Sequence, residues 1–318
     1  FKNYLKKINY FKKQLSDDFQ QGGIFYPQPL MIVDIVEKLR HPITRIRTNA
    51  DARKKTKKES LRNFNLDQLV DTKSLFLTAA GEHIYPFSLK EDSLWHVVLP
   101  GIQLPSGNLS LKSSQDLRKE GLTETAKYWF KVEDEWNKLK NNNDEELFKR
   151  IDFNSNLTNQ NLQKRYLLIA NASGSRQYVS FTDTESLPLP FIARDKTYQW
   201  RTNDKNEAGY YLGILNSDFI NSIVDPFINL GLLGKRDIGT RMFSLPIPPY
   251  DQSQVLQTEI STKALNLYSK SNKLIRECND QKSLIAKDVG ILRRQIRNAL
   301  HRESEELNNL IILYFNSH

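Results

Sequence analysis

The sequence predicts an α+β protein, with a mixed strand-rich domain that contains inserted helices and a C-terminal region of long helices arranged as a hairpin. Three observations support this fold class. Short apolar runs alternate with Gly and Pro breaks over residues 64–105, which is typical of a compact strand-rich module. Residues 113–150 carry apolar side chains at helical spacing, and the same spacing of three and four continues from 253 to 315.

The composition indicates a folded, basic protein. The 318 residues are 39% hydrophobic and include 16 Phe and 13 Tyr, which is enough to bury a substantial core. The net charge of +9 favours a polyanionic partner, with nucleic acid first and an anionic membrane surface second. A basic surface that serves only solubility is the alternative.

The sequence indicates neither a membrane span nor a disulfide framework. No apolar run approaches the roughly 20 residues that a span needs, and Cys278 is the only cysteine. We therefore expect a cytoplasmic protein without a membrane partner. The sequence begins at Phe1 rather than at an initiator Met, which predicts that the chain is part of a longer protein.

The first 22 residues are expected to form a helix that leads into a strand. Residues 1–20 have apolar side chains three and four apart and a lysine-rich outer face, as in an amphipathic helix. Gly22 and Gly23 end this helix, and Pro27 and Pro29 mark the start of an extended strand.

Positive charge is concentrated in residues 40–62, where nine arginines and lysines accompany two acids. Alternation with Ile favours a strand edge at the start of this segment, whereas residues 51–59 are too polar to pack. The pattern predicts a flexible arm that neutralises DNA phosphates without reading sequence, and a solvated loop is the alternative. The candidate DNA-binding residues of the arm are Arg45, Arg47, Arg53, Lys54, Lys55, Lys57 and Lys58.

The middle of the chain predicts one long helix and one hairpin. Thr123 is expected to cap the helix, whose Trp129 and Trp136 belong to its core face. Residues 164–182 read as two strands around an N-A-S-G-S-R turn, with Arg176 at the tip, where it can reach a guanine edge. Arg201 is a further candidate DNA contact, because the pair Trp200-Arg201 ends an extended segment and is expected to be exposed.

The densest apolar stretch is 207–251, which predicts two short helices, a glycine-bracketed basic loop and a proline-rich exit. Residues 207–228 are expected to be scaffold. The loop over 231–241 is expected to touch DNA through Lys235, Arg236 and Arg241. After residue 251 the pattern is purely helical, and a turn at 279–282 is expected to join two long antiparallel helices.

Motifs for catalysis and cofactor binding are missing from the sequence. It lacks the glycine-rich motifs that hold dinucleotides or triphosphates, and its five histidines have no zinc spacing. Asp71-Thr72-Lys73 has the form of half a nuclease motif, but no acidic partner strand is evident. We predict no catalytic, cofactor-binding or metal-binding residue in this chain.

Four ordered segments of 207–251 resemble the target-recognition region of adenine-specific DNA methyltransferases from restriction–modification systems. They read EAGYYLGILNS, PF, GLLGKRDI and LPIPPYD, and the weaker similarities are IFYP at 24–27 and PFSL at 86–89. These enzymes act through an [N/D]-P-P-[Y/F] motif that holds the flipped adenine. Here Ile247 precedes Pro248-Pro249-Tyr250 and cannot accept the required hydrogen bond.

The resemblance implies a division of labour within a longer protein. Residues 1–22 would link to an N-terminal catalytic domain that binds S-adenosylmethionine and methylates adenine. Residues 23–251 would be the DNA target-recognition domain, which binds double-stranded DNA in the major groove, and residues 252–318 a C-terminal helical domain. The alternative is a stand-alone specificity subunit that docks a separate methyltransferase or nuclease through its C-terminal helices. A third hypothesis is a self-contained, metal-dependent nuclease.

Overall fold

The computed structural model describes residues 19–38, 42–141, 145–174, 176–227, 229–231, 234–237, 239, 242–278 and 286–317. Nearly all of the helix predicted over 1–20 lies outside these residues, and so does the turn predicted at 279–282. The fold is α+β, as the sequence predicted.

The strands and helices of the described residues are numbered in chain order. The strands are β1 (Gln20–Gln21), β2 (Ile32–Lys38), β3 (Ile43–Thr48), β4 (Asp67–Asp71), β5 (Leu75–Thr78), β6 (Phe87–Ser88), β7 (Trp95–Val98), β8 (Gly101–Gln103), β9 (Leu109–Leu111), β10 (Tyr166–Asn171), β11 (Val179–Asp183), β12 (Thr197–Thr202), β13 (Asn229–Gly231) and β14 (Gly234–Asp237). The helices are α1 (Ala50–Lys54), α2 (Glu59–Asn63), α3 (Ser114–Lys119), α4 (Thr123–Leu139), α5 (Leu147–Ile151), α6 (Lys205–Asn216), α7 (Asp218–Val224), α8 (Val255–Cys278), α9 (Ala286–Ala299) and α10 (His301–Asn316).

Two five-stranded sheets organise the molecule. Sheet I has the order β1-β12-β10-β11-β6, in which only the β11–β6 pair is parallel. Sheet II has the order β4-β3-β2-β7-β5 and is antiparallel throughout. The pairs β8–β9 and β13–β14 form two small additional ribbons.

The hairpin predicted over 164–182 is confirmed as β10 and β11, and it lies at the centre of sheet I. Successive side chains of a strand point to opposite faces. Leu168 and Ala170 therefore pack in a core shared with the long helices, whereas Leu167 and Ile169 pack in a second core together with Leu77. Sheet I is thus buried on both faces at this strand.

The predicted scaffold helix α6 is buried from Ala208 to Asn216 and packs against α8. Helices α8 and α10 are antiparallel, because Lys263 pairs with Glu306 and Lys270 pairs with Glu303. These C-terminal helices belong to the same hydrophobic core as sheet I. The packing is therefore continuous across the predicted boundary at residue 251.

The second helical run is not one helix, since α9 ends at Ala299 and α10 begins at His301. Leu300 lies at the bend and is buried. Both helices keep their apolar side chains three and four apart, so the periodicity continues through the bend and does not reveal it.

Helix α4 packs against sheet II, and Trp129 and Trp136 are buried in its core, as predicted. The predicted cap at Thr123 is wrong. The Asp71 carboxylate, at the end of β4, accepts a hydrogen bond from the Thr125 amide at 2.8 Å, and the Thr125 hydroxyl accepts one from the Asp71 amide at 3.1 Å. Asp71 thus has a structural role in capping this helix.

Candidate nucleic-acid interface

The basic segment predicted to be a flexible arm is folded. Asn49 caps α1 by accepting a hydrogen bond from the Ala52 amide at 2.8 Å, and its own amide group donates to Asp34 at 2.7 Å. Ala52 of α1 and Leu61 of α2 are buried in the core of sheet II. The prediction that 51–59 is too polar to pack is therefore wrong at Ala52, which is buried, and Leu61 just beyond this range anchors the second helix.

Two of the predicted phosphate ligands are already paired within the protein. Arg45 donates to one oxygen of Asp67 at 2.8 Å, and Arg47 donates to the other at 2.7 Å. These hydrogen bonds hold the pKa of the Asp67 carboxyl below its usual range. One carboxylate on β4 thus compensates part of the charge of two exposed arginines on β3.

Two further basic residues, Arg53 and Lys54, lie at the end of α1. Lys54 lies beside the first turn of the same helix, and Arg53 lies against α2. Lys54 lies 3.7 Å from Asp51, and both side chains are largely exposed. An Arg53 amino group lies 3.5 Å from the carbonyl oxygen of Arg62, while its Nε is buried without an acceptor among the described residues. Arg53 is therefore partly committed to holding α1 against α2.

The remaining lysines of the segment line a cleft of about 350 Å³. We define the basic cleft by its charged side chains, which are Lys55, Lys57, Lys58, Arg194, Asp195 and Lys196. Five cations thus surround one acid. In the basic cleft, Lys55, Lys57 and Lys58 of the predicted arm therefore lie close to Arg194 and Lys196, which are distant in the sequence.

Close backbone packing fixes the wall of the basic cleft that carries Arg194 and Lys196. The Gly23 amide donates to the Ala193 carbonyl at 3.1 Å, and the Asp195 amide donates to the Gly23 carbonyl at 2.7 Å. A Cβ added at Gly22 would lie 2.3 Å from the Ala193 carbonyl carbon, so this approach requires glycine. The Gly22-Gly23 pair, expected to end a helix, thus holds residues 193–195 against the chain that continues into the cleft-lining residues 25–29.

The tip of one wall is a tight turn that presents Lys196. The Thr197 amide and hydroxyl both donate to the Arg194 carbonyl, at 3.2 and 2.7 Å. Lys196 has a φ of +64°, a left-handed conformation that is uncommon for a residue other than glycine. Its side chain is exposed.

Lys55 and Arg194, which both line the basic cleft, share one aromatic partner. The Lys55 ammonium lies 5.3 Å from the centre of the Trp95 ring, and the Arg194 guanidinium lies 5.1 Å from it. Both distances fall within the range of cation–π attraction. Trp95 thereby attracts one cation from each of the two segments that line the basic cleft.

A smaller cleft of about 230 Å³ adjoins the basic cleft. We define it as the aromatic cleft, lined by Trp136, Leu139 and Arg150 among others, and Tyr26, Pro27 and Lys58 line both clefts. The Arg150 guanidinium lies 5.2 Å from the Tyr26 ring centre and 5.5 Å from the Trp136 ring centre. Tyr26 itself is 48% exposed, so its ring forms a rim between the two clefts.

The other predicted contacts lie elsewhere. Arg176 is near the tip of the β10–β11 hairpin, as predicted, and it donates to Asp218 at 2.6 Å. The expectation that Trp200 and Arg201 are exposed is wrong, since β12 lies inside sheet I and both side chains are buried. Arg201 donates to the Phe191 carbonyl at 2.7 Å, and burial lowers its pKa to about 10. We therefore remove Arg201 from the set of candidate DNA contacts.

The region predicted as a basic loop over 231–241 contains a strand pair instead. Lys235 and Arg236 lie on β14, which is antiparallel to β13. Their side chains and the whole of Arg241 lie outside the described residues. The predicted contacts of these three residues stay predictions.

Sequence reasoning missed the second half of the basic cleft, which comprises Arg194 and Lys196, and also the rim residues Tyr26 and Arg150. A local signal was present, because Arg194 and Lys196 flank a single acid in a turn. Nothing in the sequence indicated that this turn lies beside residues 55–58.

No protein-family model matches the chain, and no curated protein matches it significantly. In the described parts of the chain, no group of three or more His, Cys, Asp or Glu side chains is arranged to hold a metal ion. Among the helices of these same parts, none has both the length and the hydropathy that crossing a membrane requires.

Proposed function

We propose that this chain binds double-stranded DNA as the target-recognition part of an S-adenosylmethionine-dependent adenine methyltransferase. The single observation that carries DNA binding is the basic cleft, where five cations from two segments face one acid. Lysines and arginines gathered on a folded surface neutralise phosphates and release counterions, which makes affinity fall with salt. The methyltransferase assignment rests on the resemblance of residues 207–251, and methyl transfer would belong to a partner domain or subunit.

Within this proposal the described residues divide into three roles. Lys55, Lys57, Lys58 and Lys196 contact the phosphate backbone. Arg45 and Arg47 stabilise sheet II through Asp67 and contribute less to binding. Reading of bases is assigned to Arg236 of the β13–β14 ribbon and to Arg176 at the tip of the β10–β11 hairpin, which would exchange its ion pair with Asp218 for a base edge.

The test is a fluorescence anisotropy titration of labelled duplexes of mixed sequence at rising salt. We expect log K to fall linearly with log salt, and Lys196→Gln to reduce the slope by about 1. Lys273→Gln is the matched control, because Lys273 is an exposed lysine of α8 that lies outside the basic cleft. Affinity that does not respond to salt would overturn the proposal.

A second function, docking of a catalytic partner by the C-terminal helices, is favoured by the exposed Ile291 of α9 and Leu313 of α10. Removing these helices is not a clean test, because they belong to the core of sheet I. Ile291→Asp and Leu313→Asp leave the core intact and should abolish capture of a methyltransferase subunit while preserving DNA affinity.

A further inference from the structure

The basic cleft contains a buried donor without an acceptor. The Arg194 side chain is 6% exposed, and its only ion-pair partner among the described residues is Asp195, at 3.2 Å. One of its terminal amino groups, Nη1, has no acceptor in the described residues. A buried donor without an acceptor is unfavourable, and an anion bound in the cleft would supply the missing acceptor.

The aromatic cleft contains two more buried donors without an acceptor among the described residues. The Trp136 Nε1 and the Arg150 Nε are both buried, and neither has an acceptor among the described residues. Both belong to side chains that line this cleft. A ligand with a flat face and hydrogen-bond acceptors on its edge fits such a lining, since aromatic and guanidinium planes stack on nucleobases.

The two clefts differ in chemistry and touch at Tyr26. Five cations line the first cleft, whereas the second is lined by two aromatic rings, apolar side chains, Asn141 and two cations, Lys58 and Arg150. Lys58 lines both and donates to the Leu139 carbonyl at 3.1 Å, so it connects their walls. A ligand that spans them needs an anionic group at one end and a planar polar group at the other.

We propose that the two clefts together hold one nucleotide, with its phosphate beside Arg194, Lys57 and Lys196 and its base against Tyr26 and Arg150. The proposal deepens the proposed function and rests on it where the nucleotide belongs to a DNA strand. A free mononucleotide offers the same phosphate and base, so the two sources are separated by experiment. No bond is made or broken in this step.

Isothermal titration of the whole chain with inorganic phosphate, deoxyadenosine monophosphate and hexadeoxyadenylate separates these sources. We expect at least one of the two nucleotide probes to bind more tightly than phosphate. Binding of the mononucleotide identifies a free nucleotide as sufficient, and binding of the hexamer alone identifies a phosphodiester within a strand.

Substitutions then assign the two halves of the site. Tyr26→Ala should weaken the nucleotide probe by about 5- to 100-fold, which corresponds to the loss of one stacking contact, and leave phosphate binding unchanged. Lys57→Gln should weaken phosphate and nucleotide alike. Both residues are exposed, so neither variant threatens folding, and Lys273→Gln serves as the control.

Two results would overturn the nucleotide site. One is a nucleotide affinity no higher than that of phosphate, and the other is a nucleotide affinity unchanged by Tyr26→Ala. If duplex binding still weakens with salt in that case, the DNA-binding function stands and only the nucleotide site fails. If the affinity for duplex DNA also does not change with salt, both the nucleotide site and the DNA-binding function are ruled out.

Discussion

The Tyr210 hydroxyl donates a hydrogen bond to the main-chain carbonyl of Pro248 across 3.0 Å. This bond joins the scaffold helix α6 to the proline-rich exit, and the Tyr314 hydroxyl of α10 lies 3.3 Å from the same oxygen of Tyr210. Ile247 and Pro248 are buried, and the Tyr250 ring lies 5.6 Å from that of Tyr210. Pro248-Pro249-Tyr250 therefore has a packing role, in which it connects α6 to the C-terminal helices.

This relationship predicts that Tyr210→Phe is destabilising. The substitution keeps the ring but leaves the buried Pro248 carbonyl without its donor, which should lower the free energy of unfolding by about 1–2 kcal/mol. Urea denaturation followed by circular dichroism measures the change. Tyr26→Phe, at an exposed tyrosine, is the control and should have no effect. An unaltered stability of Tyr210→Phe would show that the bond contributes nothing.

Replacing a glycine with alanine should lower the stability of the fold at Gly209 and raise it at Gly290. A Cβ at Gly209 of α6 would lie 2.5 Å from the Ser261 hydroxyl and 2.8 Å from Leu265 Cγ, both on α8. Gly209→Ala should therefore cost about 1–3 kcal/mol, because the helices must move apart. Gly290 of α9 is exposed and has nothing within 4 Å, so Gly290→Ala should add about 0.5–1 kcal/mol through helix propensity. Thermal unfolding of both variants tests this, and a stabilising Gly209→Ala would contradict the close approach of α6 and α8.

Burial of His83 predicts an acid-sensitive stability. Its ring is buried, its Nδ1 accepts from the Ala80 amide at 2.9 Å, and burial lowers its pKa to about 4. The unfolded chain, with an ordinary histidine pKa near 6.5, then binds more protons than the folded chain between these values. The contribution is fully present above about pH 6.5 and is lost as the pH falls toward 4, with a magnitude of about 3 kcal/mol.

The variant His83→Asn retains an acceptor near the position of Nδ1 and has no ionisable group. Urea midpoints of both proteins between pH 4 and 7.5 isolate the histidine, because the carboxylates titrate in both. We expect the stability of the natural sequence to fall more steeply below pH 6.5. Parallel pH profiles would exclude a depressed pKa at His83.

Local sequence signals predicted the elements but not their assembly. The β10–β11 hairpin was predictable because its turn and both strands are contiguous in the sequence. The helix α6 was predictable because its Leu, Ile and Tyr residues are dense enough to require burial. The cap of α4 was not predictable, because Asp71 comes from β4 and is distant from α4 in the sequence. The basic cleft was half predicted for the same reason: charge density marks Lys55 to Lys58, while Arg194 comes from a distant part of the chain and meets Lys55 at the Trp95 ring.

Tertiary pairing also changes which charges are available to a ligand. Arg45 and Arg47 matched the basic pattern as well as the lysines did, yet Asp67 lies between them. Arg176 was predicted at the hairpin tip and is there, but Asp218 at the start of α7 holds it. Charge along a sequence thus overestimates the charge that is available for binding.

This difference predicts that Arg45→Gln and Lys57→Gln affect DNA binding unequally, although each removes one positive charge. Lys57 is exposed on the basic cleft and has no ion-pair partner among the described residues, so its loss should reduce the slope of log K against log salt by about 1. Arg45 is engaged with Asp67, so Arg45→Gln should change the slope by much less than this. Anisotropy titrations of both variants on one duplex make the comparison. Equal reductions would mean that the outer face of β3 also lies against DNA, and the interface would then extend from the basic cleft across sheet II.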